Sequence, residues 1–326
     1  MRPHSVIRRL STAFTALAMV LLAFAPAAQA QQSWKPERPV TIVVPYSPGG
    51  GTDTLARFMS KELARIWGQP VNVENNAGAD GLIGSRRVIE AKPDGYTFLV
   101  QLPSLTLNAH LPGFKGTDPA KQLIPISVFA TLSGVLVANT AVPGATAAEV
   151  LQNCRNATKP CSFGTTENTA RLQGQRLLVD YPSMVIVNYK GGGQLITDLV
   201  GNSVNMALMG YTAVIPHQKS GNLKLLLSAA KTRTAVLPNV PTAVEAGFPI
   251  LESETWYGLF APLGTPQNII DSVAASIREG SKSESFLASI AILGGSPGGN
   301  TPTEFAAMVR SDGERYGALI RQFPIQ

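Results

Sequence analysis

The feature that most constrains the fold of this chain is the alternation of short apolar runs with amphipathic helical stretches past the first thirty residues. In the first unit, the β-branched run Val40–Val44 predicts a strand, and Leu55, Met59 and Leu63 then fall on one face at helical spacing. Gly68 is positioned to end that helix. Because strands that alternate with helices form sheets covered by helices, the pattern predicts an α/β fold.

The length of the chain and two apolar stretches indicate two lobes. The part after the first thirty residues has about 296 of the 326 residues (326 − 30), which is more than one hydrophobic core usually serves. The stretch Ser127–Ala138 predicts a first strand that crosses between lobes, and Glu254–Ala261 predicts a second. Each lobe is predicted to hold a mixed, mostly parallel sheet flanked by helices, and the two crossing strands would form a hinge. The expected boundaries are residues 31–132 and 254–326 for the first lobe and 133–253 for the second.

Local signals place further elements along the chain. Thr265-Pro266 and Thr301-Pro302 each put a capping residue before a proline, which predicts two helix starts, and Glu304 completes a capping box at the second. Between the two crossings, the predicted helices are Thr146–Asn156, Thr169–Tyr181 and Gln194–Val200, and the predicted strands are Ser162–Gly164, Met184–Asn188, Val204–Met209 and Leu223–Ala229.

The first thirty residues have the composition of a secretory signal peptide. A positive head precedes the apolar stretch Leu10–Phe24, and Ala28 and Ala30 supply the small residues before a cleavage site. The alternative is a membrane anchor, but about 15 apolar residues are short against the roughly 20 that span a bilayer. We expect ordinary export, with cleavage after Ala30.

The net charge and the cysteine and histidine positions limit which partners, bonds and cofactors the sequence predicts. Lys and Arg number 27 against 21 Asp and Glu, and cleavage would remove three arginines, so the excess falls from +6 to about +3. The sequence has no dense run of positive charge, so nucleic acid is not a predicted partner. Cys154 and Cys161 form a candidate local disulfide in an oxidising compartment, with two free thiols as the alternative. His110 and His217 lie far apart, so neither a metal nor a cofactor is predicted.

The segment from Tyr46 to Asp53 is the most informative local feature. Three consecutive glycines join a strand to a helix, which exposes backbone N–H groups at a helix N-terminus and favours anions. A purely structural tight turn is the alternative. The segment is not a nucleotide-binding loop, since no lysine follows the glycines. Asp53 would either cap the helix and tie the loop, or orient water or a ligand donor.

One segment imitates a catalytic motif. Gly294–Gly298 matches the G-x-S-x-G pattern of α/β-hydrolases. The residue after the nucleophile must donate a backbone N–H to the oxyanion hole, and Pro297 has none. The base histidine also follows the serine in that fold, whereas the last histidine here is His217. The sequence therefore predicts a protein that is not an enzyme.

A second polar loop is predicted in the second lobe, where it would face the glycine loop of the first. Ser162–Thr169 reads as a strand, a polar loop and a helix start, so two such loops, one in each lobe, would face each other across a cleft. Tyr189 follows a further strand and would form either an aromatic wall of that cleft or ordinary packing.

Several motifs together resemble the tripartite tricarboxylate transporter receptors, also called Bug receptors. They span essentially the whole chain past the signal segment, in the order expected of that family. The motifs that carry the resemblance are Arg38-Pro39-Val40, Pro45-Tyr46-Ser47-Pro48-Gly49-Gly50-Gly51-Thr52-Asp53, Gly68-Gln69-Pro70-Val71, Pro93-Asp94-Gly95-Tyr96-Thr97, Tyr189-Lys190-Gly191-Gly192, Leu237-Pro238-Asn239-Val240-Pro241-Thr242, Glu245-Ala246-Gly247 and Trp256-Tyr257-Gly258-Leu259-Phe260-Ala261-Pro262.

This resemblance implies a monomeric, two-lobed periplasmic binding protein that closes on a small organic acid and delivers it to membrane permease subunits. In such a protein, backbone N–H groups and ordered water hold the carboxylate. Carried over by position, the ligand contacts would be Tyr46, Ser47, Pro48, Gly49, Gly50, Gly51, Thr52, Asp53, Ala79, Asp80 and Gly81 in the first lobe and Gly164, Thr165, Thr166, Asn168, Thr169 and Tyr189 in the second.

The chain departs from the family pattern in the second loop, which in the family is richer in glycine and serine and is followed by a histidine. Here Glu167 interrupts the loop, and Arg171 stands at the position of the histidine. A carboxylate beside an anion site is unfavourable unless it turns outward or meets a ligand donor. The ligand is therefore left open among an aliphatic dicarboxylate, an aromatic acid, an amino acid and a neutral compound. Signalling to a sensor kinase and an exported enzyme are the alternative functions.

Overall fold

The computed structural model describes residues 34–189 and 192–325, so the predicted signal peptide lies outside the described residues. The strands are β1 (Val40–Val44), β2 (Val71–Asn75), β3 (Thr97–Gln101), β4 (Leu123–Leu132), β5 (Gly134–Asn139), β6 (Ser162–Thr165), β7 (Val185–Asn188), β8 (Met206–Gly210), β9 (Leu223–Ser228), β10 (Thr255–Pro262) and β11 (Ser296–Pro297). The helices are α1 (Gly51–Trp67), α2 (Leu82–Ile89), α3 (Ser104–Asn108), α4 (Ala147–Asn156), α5 (Asn168–Leu178), α6 (Gly192–Val200), α7 (Tyr211–Lys219), α8 (Gln267–Gly280), α9 (Glu284–Ile292) and α10 (Pro302–Gln322).

The described strands form two sheets, and these sheets are the cores of two lobes. The first has the order β11-β4-β10-β3-β1-β2, and the second has the order β7-β6-β8-β5-β9. The two-lobed α/β prediction is confirmed. No helix within residues 34–189 and 192–325 combines the length and the apolar character needed to cross a bilayer.

Both sheets are mixed, as predicted, but they are not mostly parallel. In the first sheet, β1 is parallel to β2 and β3, whereas β10 is antiparallel to β3 and β4, and β11 is antiparallel to β4. In the second, β6 is parallel to β7 and β8, whereas β5 is antiparallel to β8 and β9. The antiparallel pairs arise where the chain changes lobe, because β10 returns beside β4 and must run in the opposite direction.

The predicted single strand Ser127–Ala138 is in fact two strands in two different sheets. Strand β4 ends at Leu132 and β5 begins at Gly134, so only Ser133 separates them. The return path lies beside this break: Thr255 pairs with Leu132, and the N–H of Ser253 donates to the carbonyl of Ala229. Ser133 and Gly134 are the break, but small residues also occur inside continuous strands, so the mostly apolar segment predicts one strand.

Helix boundaries follow the capping signals with one exception. Gly68 ends α1 in the left-handed conformation, with φ of +68°, where a glycine carries no Cβ penalty. Thr301 and Glu304 form the predicted capping box at α10. At α8, however, the capping position is Pro266 and not Thr265, because the Thr265 hydroxyl donates to the Pro262 carbonyl instead.

Each lobe has its own apolar core. In the first, Val43, Leu99 and Phe260 of three strands pack against Phe305 of α10. In the second, alternate side chains of β5 point to opposite faces of the sheet, so Leu136 belongs to one cluster and Val135 to another. Helices α4 and α5 cover the first of these faces, and α6 and α7 cover the second.

The predicted disulfide is present in the second lobe. Cys154 of α4 and Cys161 just before β6 are bonded, and both are buried in the same cluster as Phe163. The bond closes the short connection between α4 and β6, and both described cysteines are used in it.

Candidate ligand-binding site

The glycine loop of the first lobe lies open at the carboxyl end of β1. Ser47, Pro48, Gly49 and Gly50 are all exposed, and α1 begins at Gly51 directly after them. Gly49 has φ of +81°, a conformation that side chains rarely adopt, and a Cβ there would meet no atom within 4 Å. The space above the loop is free, and the helix N-terminus is directed towards it.

Asp53 ties this loop instead of facing open space. Its carboxylate accepts the Gly49 N–H at 2.9 Å, Arg57 at 2.9 and 3.0 Å, and the Asn75 amide at 2.9 Å. Burial acts to raise the pKa of the Asp53 carboxyl, but the hydrogen bonds from Arg57, Gly49 and Asn75 outweigh it and lower the pKa. Thr52 beside it is also buried. Of the two roles considered for Asp53, this geometry fits the tying role.

Tyr46 connects the loop to the ends of two other elements. Its hydroxyl lies 2.8 Å from Ser104 Oγ and 3.2 Å from Gln101 Oε1. A Cβ at Gly81 would lie 2.7 Å from Gln101 Nε2 and 3.0 Å from the Tyr46 hydroxyl, so only glycine fits there. Burial, and then the Asp80 carboxyl, raise the pKa of Tyr46 well above its usual value.

The turn Ala79–Gly81 has a strained backbone. Ala79 and Asp80 both have φ of +48°, which is uncommon for residues other than glycine. The Asp80 carbonyl accepts the amide of Asn108 at 2.9 Å, which helps to hold the turn. This conformation directs the Asp80 carboxyl towards the second lobe.

The second-lobe loop is built differently, and several of its predicted contact residues have structural roles. A Cβ on Gly164 would lie 2.3 Å from Leu195 Cδ1, so this glycine allows α6 to pack against β6. The buried Thr165 hydroxyl bonds Asn188 at 2.9 Å, and the Tyr189 hydroxyl bonds Asp198 at 2.8 Å. Burial and Asp198 raise the pKa of Tyr189 to about 12. Tyr189 therefore packs within its own lobe.

The two lobes meet at the start of α5. The backbone N–H of Asn168 donates to Asp80 Oδ2 at 3.3 Å, and the Asn168 amide donates to Asn108 Oδ1 at 2.9 Å. Behind this polar contact, Leu107 of α3 and Leu172 of α5 share an apolar cluster with Tyr316 of α10. The predicted residues Asp80 and Asn168 are thus brought together from opposite lobes.

Glu167 precedes this contact and faces the same space. It occupies the capping position of α5, yet its side chain makes no capping hydrogen bond and instead bonds Thr169. Burial, followed by the negative charge of Asp80, raises the pKa of Glu167 to about 7. Burial also raises the pKa of Asp80 to about 6, against the opposing effect of its Asn168 and Asn108 hydrogen bonds. Partly buried Thr166 and Thr169 flank Glu167.

Tyr257 of β10 is a neighbour that the sequence reading did not place in the site. Its hydroxyl would lie 3.7 Å from a Cβ on Gly51, so it reaches the start of α1 from the returning strand. Burial and the charge of Glu167 raise the pKa of Tyr257 above its usual value. Gln101, Ser104, Asn108 and Asn75 were also missed. Gln101 carried a usable signal, since it is a polar residue at the end of an otherwise apolar strand.

The segment that imitates a hydrolase motif lies at a sheet edge. Ser296 and Pro297 form β11, which pairs with Thr131 and Ala130 of β4. A Cβ on Gly298 would lie 2.2 Å from the Val128 carbonyl oxygen, so the glycine permits close strand contact. This segment has a packing role.

Comparison with known proteins fits this architecture. The family model described as the tripartite tricarboxylate transporter family receptor matches residues 55–325. Among curated proteins, Protein BugT of Bordetella pertussis is 30% identical over 295 residues, which cover 88% of this chain and 90% of BugT.

Solved structures agree over nearly their whole length. The periplasmic binding protein BugD superposes with a TM-score of 0.82 at 27% identity, covering 89% of this chain and 99% of BugD. The structure of R. palustris Rpa4515 with adipate superposes with a TM-score of 0.82 at 28% identity, covering 88% of this chain and 97% of Rpa4515. The structure of MatC from Rhodopseudomonas palustris with bound malate superposes with a TM-score of 0.79 at 28% identity, covering 87% of this chain and 99% of MatC. The chain belongs to the tripartite tricarboxylate transporter family of receptors.

Proposed function

We propose that this protein binds a small organic carboxylate between its two lobes in the periplasm and delivers it to the permease subunits of a tripartite tricarboxylate-type transporter. The observation that carries the proposal is the contact of the turn Ala79–Gly81 in the first lobe with the start of α5 in the second, where the N–H of Asn168 donates to Asp80. This turn packs against Tyr46, the residue that begins the glycine loop. Support comes from two relatives of similar fold, which were solved with adipate and with malate.

The glycine loop would hold the ligand carboxylate. Backbone N–H groups between Ser47 and Asp53 lie at the N-terminus of a 17-residue helix, whose dipole favours a negative group. Tyr46 and Tyr257 border this position with hydroxyl groups. In the second lobe, Asn168, Thr166 and Thr169 would complete the site, whereas Gly164, Thr165 and Tyr189 would support it from behind.

Closure of the lobes would couple binding to recognition by the transporter. We place the hinge at Ser133 and at residues 252–255, where the chain passes between the sheets, so the lobes comprise residues 31–132 with 254–326 and residues 133–253. A ligand shifts this equilibrium only by its preference for the closed form. A monomer, exported after cleavage at Ala30, is sufficient for this cycle, and no catalytic step is part of it.

A thermal-shift screen of the purified protein against a library of organic acids tests the proposal. A cognate ligand at 100 times its Kd stabilises the native state by about 2.7 kcal/mol, which corresponds to a rise in Tm of roughly 5 °C. The absence of any shift across aliphatic, aromatic and amino acids at saturating concentration would rule out the ligand class.

A paired substitution tests the place of the glycine loop. Gly50→Val puts a branched side chain where the ligand carboxylate would lie. Gly50 has φ of −75°, and the nearest atom to a new Cβ is the Ser47 carbonyl at 3.6 Å, so the fold tolerates the change. We expect an unchanged Tm without ligand and no ligand-induced shift. Gly313→Val, in an open position of α10, is the control and should bind normally. Wild-type affinity in Gly50→Val would remove the loop from the site.

A further inference from the structure

Two carboxyl groups from different lobes face the same space in the proposed site. Asp80 lies on the strained turn of the first lobe and accepts the N–H of Asn168, and Glu167 stands one residue before Asn168, near enough for the charge of Asp80 to raise its pKa. The contact between Asp80 Oδ2 and the Asn168 N–H, at 3.3 Å, fixes how near the two loops lie. Each carboxyl is close enough to raise the pKa of Tyr46, and Glu167 does the same to Tyr257.

Neither carboxyl has a cationic partner among the described residues. The ion pairs formed there involve other acids, such as Asp53 with Arg57 and Glu62 with Arg65. Asp80 bonds only neutral amide groups, from Asn168 and Asn108, and Glu167 bonds the neutral Thr169. The neighbouring titratable groups Tyr46, Tyr257 and Tyr316 contribute no positive charge. Arg171, one turn along α5, and Arg315, which bonds Tyr316, form no ion pair with either carboxyl, and Arg315 pairs with Asp312 instead.

Closing the lobes over two carboxylates that have no cationic partner among the described residues is unfavourable, unless a positive charge enters with them or one of them takes up a proton. Like charges in a partly dehydrated space disfavour one another's ionised form, and burial adds to that effect. A ligand made only of carboxylates would bring further negative charge to this wall of the site. The glycine loop nearby has the opposite preference, since its backbone N–H groups favour an anion.

We propose that the ligand carries an ammonium group as well as a carboxylate, with the ammonium held between Asp80 and Glu167 and the carboxylate at the glycine loop. This inference rests on the proposed function, because it assigns the ligand class of the same site. It selects an amino acid or another aminocarboxylate from the four classes that the sequence leaves open. The two carboxyls act as specificity determinants, one supplied by each lobe, so the ammonium also joins the lobes.

The competing arrangement is a protonated carboxyl that donates a hydrogen bond to a second ligand carboxylate. The two arrangements differ in the direction of proton movement. An ammonium stabilises the ionised acids, so binding releases protons to the buffer. A dianion stabilises the protonated acids, so binding takes protons up.

The experiment is isothermal titration calorimetry at pH 7 in two buffers with different ionisation enthalpies, using matched ligands. Malate and aspartate differ by a hydroxyl against an ammonium, and adipate and 6-aminohexanoate differ by a carboxylate against an ammonium. We expect the ammonium member of at least one pair to bind more tightly, by about ten-fold or more, with proton release. The inference would be overturned if malate bound more tightly than aspartate and adipate more tightly than 6-aminohexanoate. Proton uptake on binding of the tightest ligand would overturn it as well.

Two isosteric variants locate the effect. Glu167→Gln and Asp80→Asn should each raise the Kd of the ammonium ligand about ten- to hundred-fold. The Kd of the dicarboxylate should stay the same or fall. Glu90→Gln and Asp180→Asn change exposed carboxylates of the two lobes and should bind as wild type. Unchanged affinity of the ammonium ligand in Glu167→Gln contradicts the inference. If carboxylates bind but ammonium gives no advantage, the receptor function stands and this assignment fails; if no organic acid of either kind binds, both fail.

Discussion

The glycine loop of the first lobe and the loop at residues 164–169 of the second each join a strand to a helix, but they are built in opposite ways. In the first lobe, residues 47–50 are exposed, and the loop is held from below by the buried carboxylate of Asp53. In the second lobe, Gly164 and Thr165 are buried and engaged in packing, and the polar edge consists of the partly buried side chains of Glu167 and its neighbours.

In the proposed site, this difference would separate two tasks. The first loop would recognise an anion through its backbone N–H groups, without regard to the rest of the ligand. The second loop would distinguish one ligand from another through its side chains. Variation among relatives in what they bind is therefore expected to track residues 166–169 more than the glycines. The substitutions below test whether each loop has the role assigned to it.

The largest expected effect is that of Asp53→Ala in the first loop. The change leaves the Gly49 N–H, the Asn75 amide and Arg57 without their shared acceptor, and hydrogen bonds to a charged group contribute about 1.5–3 kcal/mol. We expect a loss of about 3 kcal/mol in the free energy of unfolding, measured by urea denaturation, together with weaker ligand binding.

Asp94→Ala is the matched control for Asp53→Ala. Asp94 pairs with Arg38 at 3.1 Å in the same lobe, but both side chains are exposed, so the expected loss is about 1 kcal/mol or less. Equal stability of the two variants would show that Asp53 does not hold the loop.

A smaller effect is expected from Gly164→Ala in the second loop. The added methyl group would lie 2.3 Å from Leu195 Cδ1 and 3.1 Å from Val204 Cγ1, both in fully packed positions. Overpacking of this kind costs typically 1–3 kcal/mol, so we expect a loss of about 2 kcal/mol in unfolding free energy. Gly50→Ala is the matched change in the first loop and should leave stability within about 0.5 kcal/mol. If Gly50→Ala lowered the free energy of unfolding and Gly164→Ala did not, the first loop would be the packed one and the second the open one, contrary to the arrangement in the structure.

The same contrast explains what the sequence could and could not predict. The glycine loop is a local signal, because a strand, three glycines and a helix follow one another directly, and its position was predicted correctly. The packing roles of Gly164 and Tyr189 depend on Leu195 and Asp198 of α6, so nothing adjacent to them in the sequence revealed those partners. Helix α7 was missed because Pro216 lies inside it. The approach of Asp80 to Asn168 depends on how the lobes close, 88 residues apart in the chain.

The smallest expected effect is a dependence of stability on pH, which comes from the contact between Asp80 of the first lobe and the start of α5 in the second. The pKa of Asp80 is raised to about 6 and that of Glu167 to about 7, so between pH 4 and 7 the native state binds more protons than the unfolded chain. Stability without ligand should therefore fall as pH rises through this window, which is the opposite of the usual behaviour of a salt-bridged acid such as Asp53. The effect is smaller than these pKa shifts alone would give, because opening of the lobes returns both side chains to water without unfolding the chain. Urea denaturation from pH 4.5 to 7.5 measures the slope, and Glu167→Gln should flatten it while Glu90→Gln does not. A slope that is the same in Glu167→Gln and wild type would mean that the Glu167 carboxyl does not lie near Asp80 of the first lobe.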